Sequence, residues 1–220
     1  MKIIDVERWK RKIPYQNFIK YTNPVFSLST RLDVTKLYDS CKKRGRSFFT
    51  DFTFIVTTCL NSVEEFRIRI KGGEVVLYDR INPSYIVMSE DGVIVACRTD
   101  IVDDYEQFYA NARADVERAR KGKQVKEFND GSNDLYYISC MPWTDFTSVS
   151  NPYDLKDVEG SSIPRLTWGR YTEENGLKKM TMDIAAHHAL IDGEPVCRAF
   201  NKIQDALNDP EKFLKEHTVK

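Results

Sequence analysis

Histidine is scarce in this sequence, with three in 220 residues, and two of those three are adjacent. Neighbouring side chains on a strand point to opposite faces, and no third ligand is set by spacing, so no metal centre is expected. The five cysteines, Cys41, Cys59, Cys97, Cys140 and Cys197, are odd in number and scattered, without a C-x-x-C pair. That argues against a disulfide framework and for a reducing, cytoplasmic setting. Lysine plus arginine and aspartate plus glutamate balance at 33 each. The resulting zero net charge gives no electrostatic reason to expect nucleic acid or an anionic membrane as partner. No apolar run approaches about 18 residues, and residues 1–12 lack the apolar core of an export signal. There is no phosphate-cradling glycine motif, internal repeat, low-complexity tract or linker.

What remains is an ordinary globular composition, 41% hydrophobic and 30% charged. A chain of this length can build one large core, so residues 1–220 are read as a single domain. Strand and helix signals alternate along it. Val25–Leu32 is β-branched and aromatic with rough period two, a strand. Asp33 is placed to cap a helix from Val34 to about Lys43, broken at Arg44-Gly45. The apolar run Phe49–Asn61 predicts a buried helix. Gly72-Gly73, Asp91-Gly92 and Asn175-Gly176 each sit between two strand-like runs, three hairpin signals. The third joins Leu166–Glu173 to Leu177–Ala186. Tyr105–Lys121 predicts an amphipathic helix ended at Gly122, and Gly122–Asn133 a polar loop. Leu135–Cys140 predicts a strand, and Gly193–Leu207 the last helix, stopped at Asn208-Asp209-Pro210. Hairpins together with helices predict an α/β two-layer sandwich: a mixed, largely antiparallel sheet with helices packed on it.

The stretch Ala186-His187-His188-Ala189-Leu190-Ile191-Asp192-Gly193 carries the most chemistry. Two histidines close a predicted strand, and Asp192-Gly193 turns the chain into a helix. Strand ends present side chains to clefts, and a histidine there can take a proton from a hydroxyl near neutral pH. A strand-end histidine is also often plain polar surface. Asp192, four residues on, is better placed to hold the loop than to touch the imidazole.

The pattern HHxxxDG resembles that of the chloramphenicol acetyltransferases, and other segments follow in order. Trp9 to Lys12, Phe26-Ser27-Leu28 with Leu32-Asp33, and Glu65-Phe66-Arg67 with Gly73-Glu74 and Asp79 each resemble a segment of that family. So do Ile138 to Trp143 followed by Phe146-Thr147-Ser148, and Thr167 to Tyr171. The resemblance implies direct transfer of acetyl from acetyl-CoA to a hydroxyl, with no metal and no acyl-enzyme. It implies His188 as general base, Ser139 as donor to the oxyanion, and Thr167 holding the intermediate through water. Arg11 and Asp192 would form a supporting ion pair, and Trp143 and Tyr171 would line the coenzyme A channel. His187 is matched to no catalytic role and is read as packing or loop support. Core packing is the competing reading for Trp143 and Tyr171.

The presumed acceptor positions depart from the family. Phe18 keeps an aromatic. Thr22 and Pro24 stand where an apolar residue and a cysteine are usual, and Ile94 lies near the place of a phenylalanine. Chloramphenicol is therefore the first acceptor to consider, another small hydroxyl compound the second, and a non-catalytic trimeric member the alternative from a different class. The 2-oxoacid dehydrogenase acyltransferase cores share the motif, but no lipoyl or linker segment precedes it here. The resemblance also implies a homotrimer in which His188 of one chain reaches Ser139, Thr167 and the Phe18 pocket of its neighbour.

Overall fold

The computed structural model describes residues 1–123, 131–154 and 156–219. In chain order the elements are β1 (Lys2–Ile3), α1 (Lys12–Phe18), β2 (Val25–Asp33), α2 (Thr35–Arg44), α3 (Phe48–Asn61), β3 (Ile68–Lys71), β4 (Glu74–Leu77), β5 (Asn82–Met88), β6 (Ile94–Arg98) and α4 (Tyr105–Arg120). There follow β7 (Leu135–Met141), α5 (Val158–Ser161), β8 (Arg165–Gly169), β9 (Thr172–Glu174), β10 (Leu177–His187), α6 (Gly193–Asn208) and α7 (Pro210–Glu216). A seven-stranded sheet runs β2-β10-β8-β7-β5-β6, with β9 paired to β10; a three-stranded sheet runs β1-β4-β3. Pairing is antiparallel except where β7 lies parallel to β5 and β8. This is the mixed, mostly antiparallel α/β architecture that the sequence predicts.

Local chemistry explains the boundaries. The Asp33 carboxylate accepts from the Thr35 amide at 3.0 Å and its hydroxyl at 2.6 Å, which starts α2. Gly45, in the left-handed region, ends it. Ser47 caps α3 through the Thr50 amide. Asn175 and Gly176 both take positive φ, as a two-residue turn between β9 and β10 requires.

One face of the large sheet carries the core. Met180, Met182 and Ile184 of β10 join Phe52 and Leu60 of α3 and Phe200 and Ile203 of α6 in one buried cluster. The opposite face of β10 shows Thr181, Asp183 and Ala185. Residues 142–154 cross that face: the Thr144 carbonyl accepts from the Arg170 amide at 2.8 Å, and Asp145 accepts from the Thr181 hydroxyl at 3.2 Å.

Three expectations need correction. The run Leu166–Glu173 is two strands, because Arg170 leaves the ladder to bond Thr144. Gly193–Asn208 is not the last helix: Pro210, read as a stop, is the first residue of α7, whose cap is Asp209. Helix α1 has no buried residue and so gave no apolar stripe to recognise. Of the polar stretch Gly122–Asn133, residues 124–130 lie outside the described residues. No helix among the described residues is long and apolar enough to cross a membrane.

The two sheets are tied by Arg69, fully buried on β3. Its guanidinium donates to the carbonyls of Phe66, Ile68, Asn133 and Leu135 at 2.7–3.0 Å. Removing it strands several buried acceptors. Arg69→Leu is expected to lower the unfolding free energy by about 3 kcal/mol or more; denaturant unfolding at pH 7 checks this, and a loss under about 1 kcal/mol would contradict it.

Candidate active site

Strand β10 ends at His187, opposite Val25 of β2. His187 is buried, and its backbone carbonyl accepts from the amides of Leu190 and Ile191, at 2.9 and 3.0 Å. Its Nδ1 accepts from the Ala189 amide at 3.2 Å, which requires that nitrogen to be unprotonated. Burial pushes the imidazole down to about 4, so the ring is neutral at working pH. His187 thereby shapes the turn that presents its neighbour.

His188 is half exposed. Its amide donates to the Pro24 carbonyl at 2.8 Å. The ring stacks on Phe18, centroids 3.9 Å apart and planes within 10°, and Phe26 packs against it at 4.7 Å. Nδ1 lies 3.4 Å from the Asp192 carboxylate, without the direction of a hydrogen bond. Asp192 therefore faces the imidazole as well as holding the loop, a correction to the expectation that it would only do the latter. The Arg11 guanidinium grips both carboxylate oxygens of Asp192, with Nη2 to Oδ1 at 3.0 Å, and Nη2 also reaches the His188 carbonyl at 3.1 Å. Arg11 is buried, and its charge holds the Asp192 carboxyl below the usual carboxylate range. These contacts fix the backbone and one flank of His188 from a segment 177 residues away in sequence.

A second group of polar residues lies on the sheet face away from the helices. Ser139 on β7 is in register with Thr167 on β8, Thr167 with Asp183 on β10, and Asp183 with Ser29 on β2. Ser139 opens into a cleft of about 410 Å³ that also includes Ser84, Ile86, Tyr137, Asn151 and Arg165. Thr167 is fully buried, and its hydroxyl has no partner. Asp183 is also fully buried, accepts from Ser29 at 2.8 Å, and has its acidity weakened by burial. Asp183, Ser29, Phe26 and Arg165 escaped the sequence reading. An acidic residue on the odd-numbered face of the otherwise apolar Met180–Ala186 was the signal that could have found the first.

The two groups do not meet within one chain. The His187 row lies four residues along β10 from the Asp183 row, about 13 Å, and Ser139 lies two strands further across, about 10 Å. Phe18, expected with the neighbour's Ser139, instead stacks on His188 of its own chain, because α1 folds back to the end of β10. Thr22 is exposed and Pro24 half-buried, both beside the β2 edge, whereas Ile94 is exposed on β6 at the opposite edge. Trp143 is 69% exposed just beyond β7, which overturns core packing as its role. Tyr171 is half-buried against Tyr38, with ring centroids 4.9 Å apart. Among the described residues, no cluster of histidine, cysteine, aspartate and glutamate is arranged to hold a metal ion.

A family model described as "Chloramphenicol acetyltransferase" matches residues 1–204. The chloramphenicol acetyltransferase of Campylobacter coli is 30% identical over 207 residues, covering 93% of this chain and 97% of that protein. A solved chloramphenicol acetyltransferase structure superposes with a TM-score of 0.84 at 29% identity, covering 94% of this chain and 99% of the other. The dihydrolipoamide acetyltransferase of Azotobacter vinelandii gives a TM-score of 0.66 at 17% identity over 92% of this chain and 88% of its own, a likeness of fold alone.

Neutral burial of His187 makes stability depend on pH. Its folded pKa, about 4, is below the unfolded value near 6.5. The contribution is complete above about pH 6.5, is lost as pH falls toward 4, and is level below that. Urea unfolding should show a loss on the order of 3 kcal/mol over that window that His187→Asn lacks. Equal slopes in the two proteins would contradict it.

Proposed function

Because this chain belongs to the chloramphenicol acetyltransferase family and is an acyltransferase, we propose that it moves an acetyl group from acetyl-CoA to the hydroxyl of a small acceptor, with residues 1–220 acting as one acetyltransferase domain. The observation that carries this reading is the Arg11–Asp192 clamp on His188. Asp192, kept ionised by Arg11, faces Nδ1 and favours the proton on that side, leaving Nε2 as the base. Bound acetyl-CoA supplies the activated thioester. His188 Nε2 takes the hydroxyl proton while the acceptor oxygen bonds to the acetyl carbon. It returns that proton to sulfur as the carbon–sulfur bond breaks, leaving an acetyl ester and the free thiol. A base so placed contributes about 10²–10⁴-fold.

Ser139 is the donor to the charge that builds on the carbonyl oxygen, worth about 10²–10³-fold in a site closed to water. Thr167, with its unpartnered buried hydroxyl, fits a bridging water beside it. The cleft at Ser139 suits the acetyl end and an acceptor, with Trp143 and Tyr171 along the pantetheine arm. The separation of His188 from Ser139 supports a homotrimer in which His188, Phe18, Thr22 and Pro24 of one subunit close the cleft of the next, where Ser139, Thr167 and Ile94 lie. Five free cysteines are in keeping with action in the cytoplasm. Chloramphenicol is an acceptor in this reading, used less efficiently than by typical resistance enzymes. Thr22, Pro24 and Ile94 replace apolar contacts, each worth about 1–3 kcal/mol of transition-state binding.

The test is thiol release from acetyl-CoA with chloramphenicol and a panel of small alcohols. Acetylation of chloramphenicol is expected, with at least a hundredfold loss in His188→Ala and a far smaller one in His187→Asn. No thiol release with any acceptor, or a His188→Ala enzyme keeping more than a tenth of the activity, would refute it.

A further inference from the structure

The Ser139 cleft holds a cation that the protein itself does not neutralise. Arg165, at the start of β8, lines the cleft with its guanidinium 3.8 Å above the Tyr153 ring. Its Nε is closed off from solvent and has no acceptor, and Asn151 Nδ2, in the same lining, is also a buried donor without a partner. Among the described residues, no carboxylate lies within ion-pair distance of Arg165. Asp183, two residues along β10 from Ala185, which is the register partner of Arg165, gives one oxygen to Ser29 instead. Ser84 and Tyr137 add hydroxyls to the same wall. The cleft is therefore rich in donors and carries one positive charge, beside apolar Ile86, Ala96 and Pro152.

The lip that His188 brings adds no negative charge to balance it. Residues 16–24, which surround Phe18 and lead into β2, contain one charged side chain, Lys20, and it is exposed. The nearby carboxylate of Asp192 is taken by Arg11. When the two halves of the site meet, the acceptor faces Arg165 and Lys20 without an unpaired acid from either segment.

Resting on the acetyltransferase reading above, we infer that the preferred acceptor is a hydroxy acid, whose carboxylate pairs with Arg165 while its hydroxyl points to His188. A guanidinium binds a carboxylate in a two-point fork, and Asn151 and Ser84 supply further donors. The transfer is unchanged: the hydroxyl loses its proton to His188 and gains acetyl, and the carboxylate takes no part in bond changes. A neutral acceptor leaves the buried guanidinium unpaired, which explains why a pocket of this composition disfavours chloramphenicol.

The experiment compares matched pairs, 3-hydroxybutyrate against its methyl ester and N-acetylserine against its methyl ester, by kcat/KM for thiol release. The expected ratio of acid to ester is at least tenfold in the wild type, at or below one in Arg165→Leu, and intermediate in Arg165→Lys. A second measurement needs no variant: butyrate, which lacks the hydroxyl, should compete with chloramphenicol, and methyl butyrate should not. A ratio near one in the wild type, an unchanged ratio in Arg165→Leu, or equal inhibition by butyrate and its ester would overturn the inference while leaving the acetyltransferase reading intact. No thiol release with any acceptor, chloramphenicol included, would overturn both.

Discussion

The grip of Arg11 on Asp192 is the contact on which the rest of the site depends. It joins the residue that caps α1 to the residue that opens α6, and through the His188 carbonyl it sets the backbone between them. Arg11 is the buried partner, and Asp192 keeps part of its side chain in solvent. Loss of either leaves a charge without its counterpart, at a cost on the order of 3 kcal/mol, the low end for a broken buried pair. The larger consequence is positional. Asp192 uses its oxygens on Arg11 rather than on the α6 amides, so α6 starts without a side-chain cap. That arrangement gives up some helix stability to hold a carboxylate beside an imidazole.

The sheet decides what the clamp can act on. Its register lines up Ser139, Thr167, Asp183 and Ser29 across four strands on the face without helices, while the same register carries His188 off the end of β10. A rigid ladder allows no rearrangement of 13 Å along a strand. The chain thus presents a base with an aromatic wall at one place and an oxyanion donor in a cleft at another, and a second copy is the simplest element that brings them together. The uncovered polar face, with its buried hydroxyls and carboxylate lacking partners, is in keeping with a surface completed by another subunit.

Much of this was legible in the residues. The turn signals at Gly72-Gly73 and Asn175-Gly176 and the stop at Gly45 are matters of local φ, and they hold in the structure. His187 and His188 could be told apart only by burial, which the alternation along β10 hints at but does not measure. Helix α1 was invisible because it buries nothing, and α7 because proline ends one helix as readily as it begins another. The pairing of Arg11 with Asp192 follows from no periodicity; a resemblance had to supply it. Arg165 passed unnoticed, since a basic residue at a strand start usually points to water, and only the cleft around it gives the charge a meaning. Phe18 was assigned to the wrong side of the site because sequence does not say which chain an aromatic faces.

The central claim is that one active site is built from two chains, His188 from one and Ser139 from the next. Subunits carrying His188→Ala and subunits carrying Ser139→Ala, each nearly inactive, can be unfolded together, refolded as a mixture and assayed for thiol release from acetyl-CoA. The account predicts that activity returns in the mixture, because some interfaces then pair an intact histidine with an intact serine. A mixture that forms mixed oligomers yet stays as inactive as its parents would contradict it.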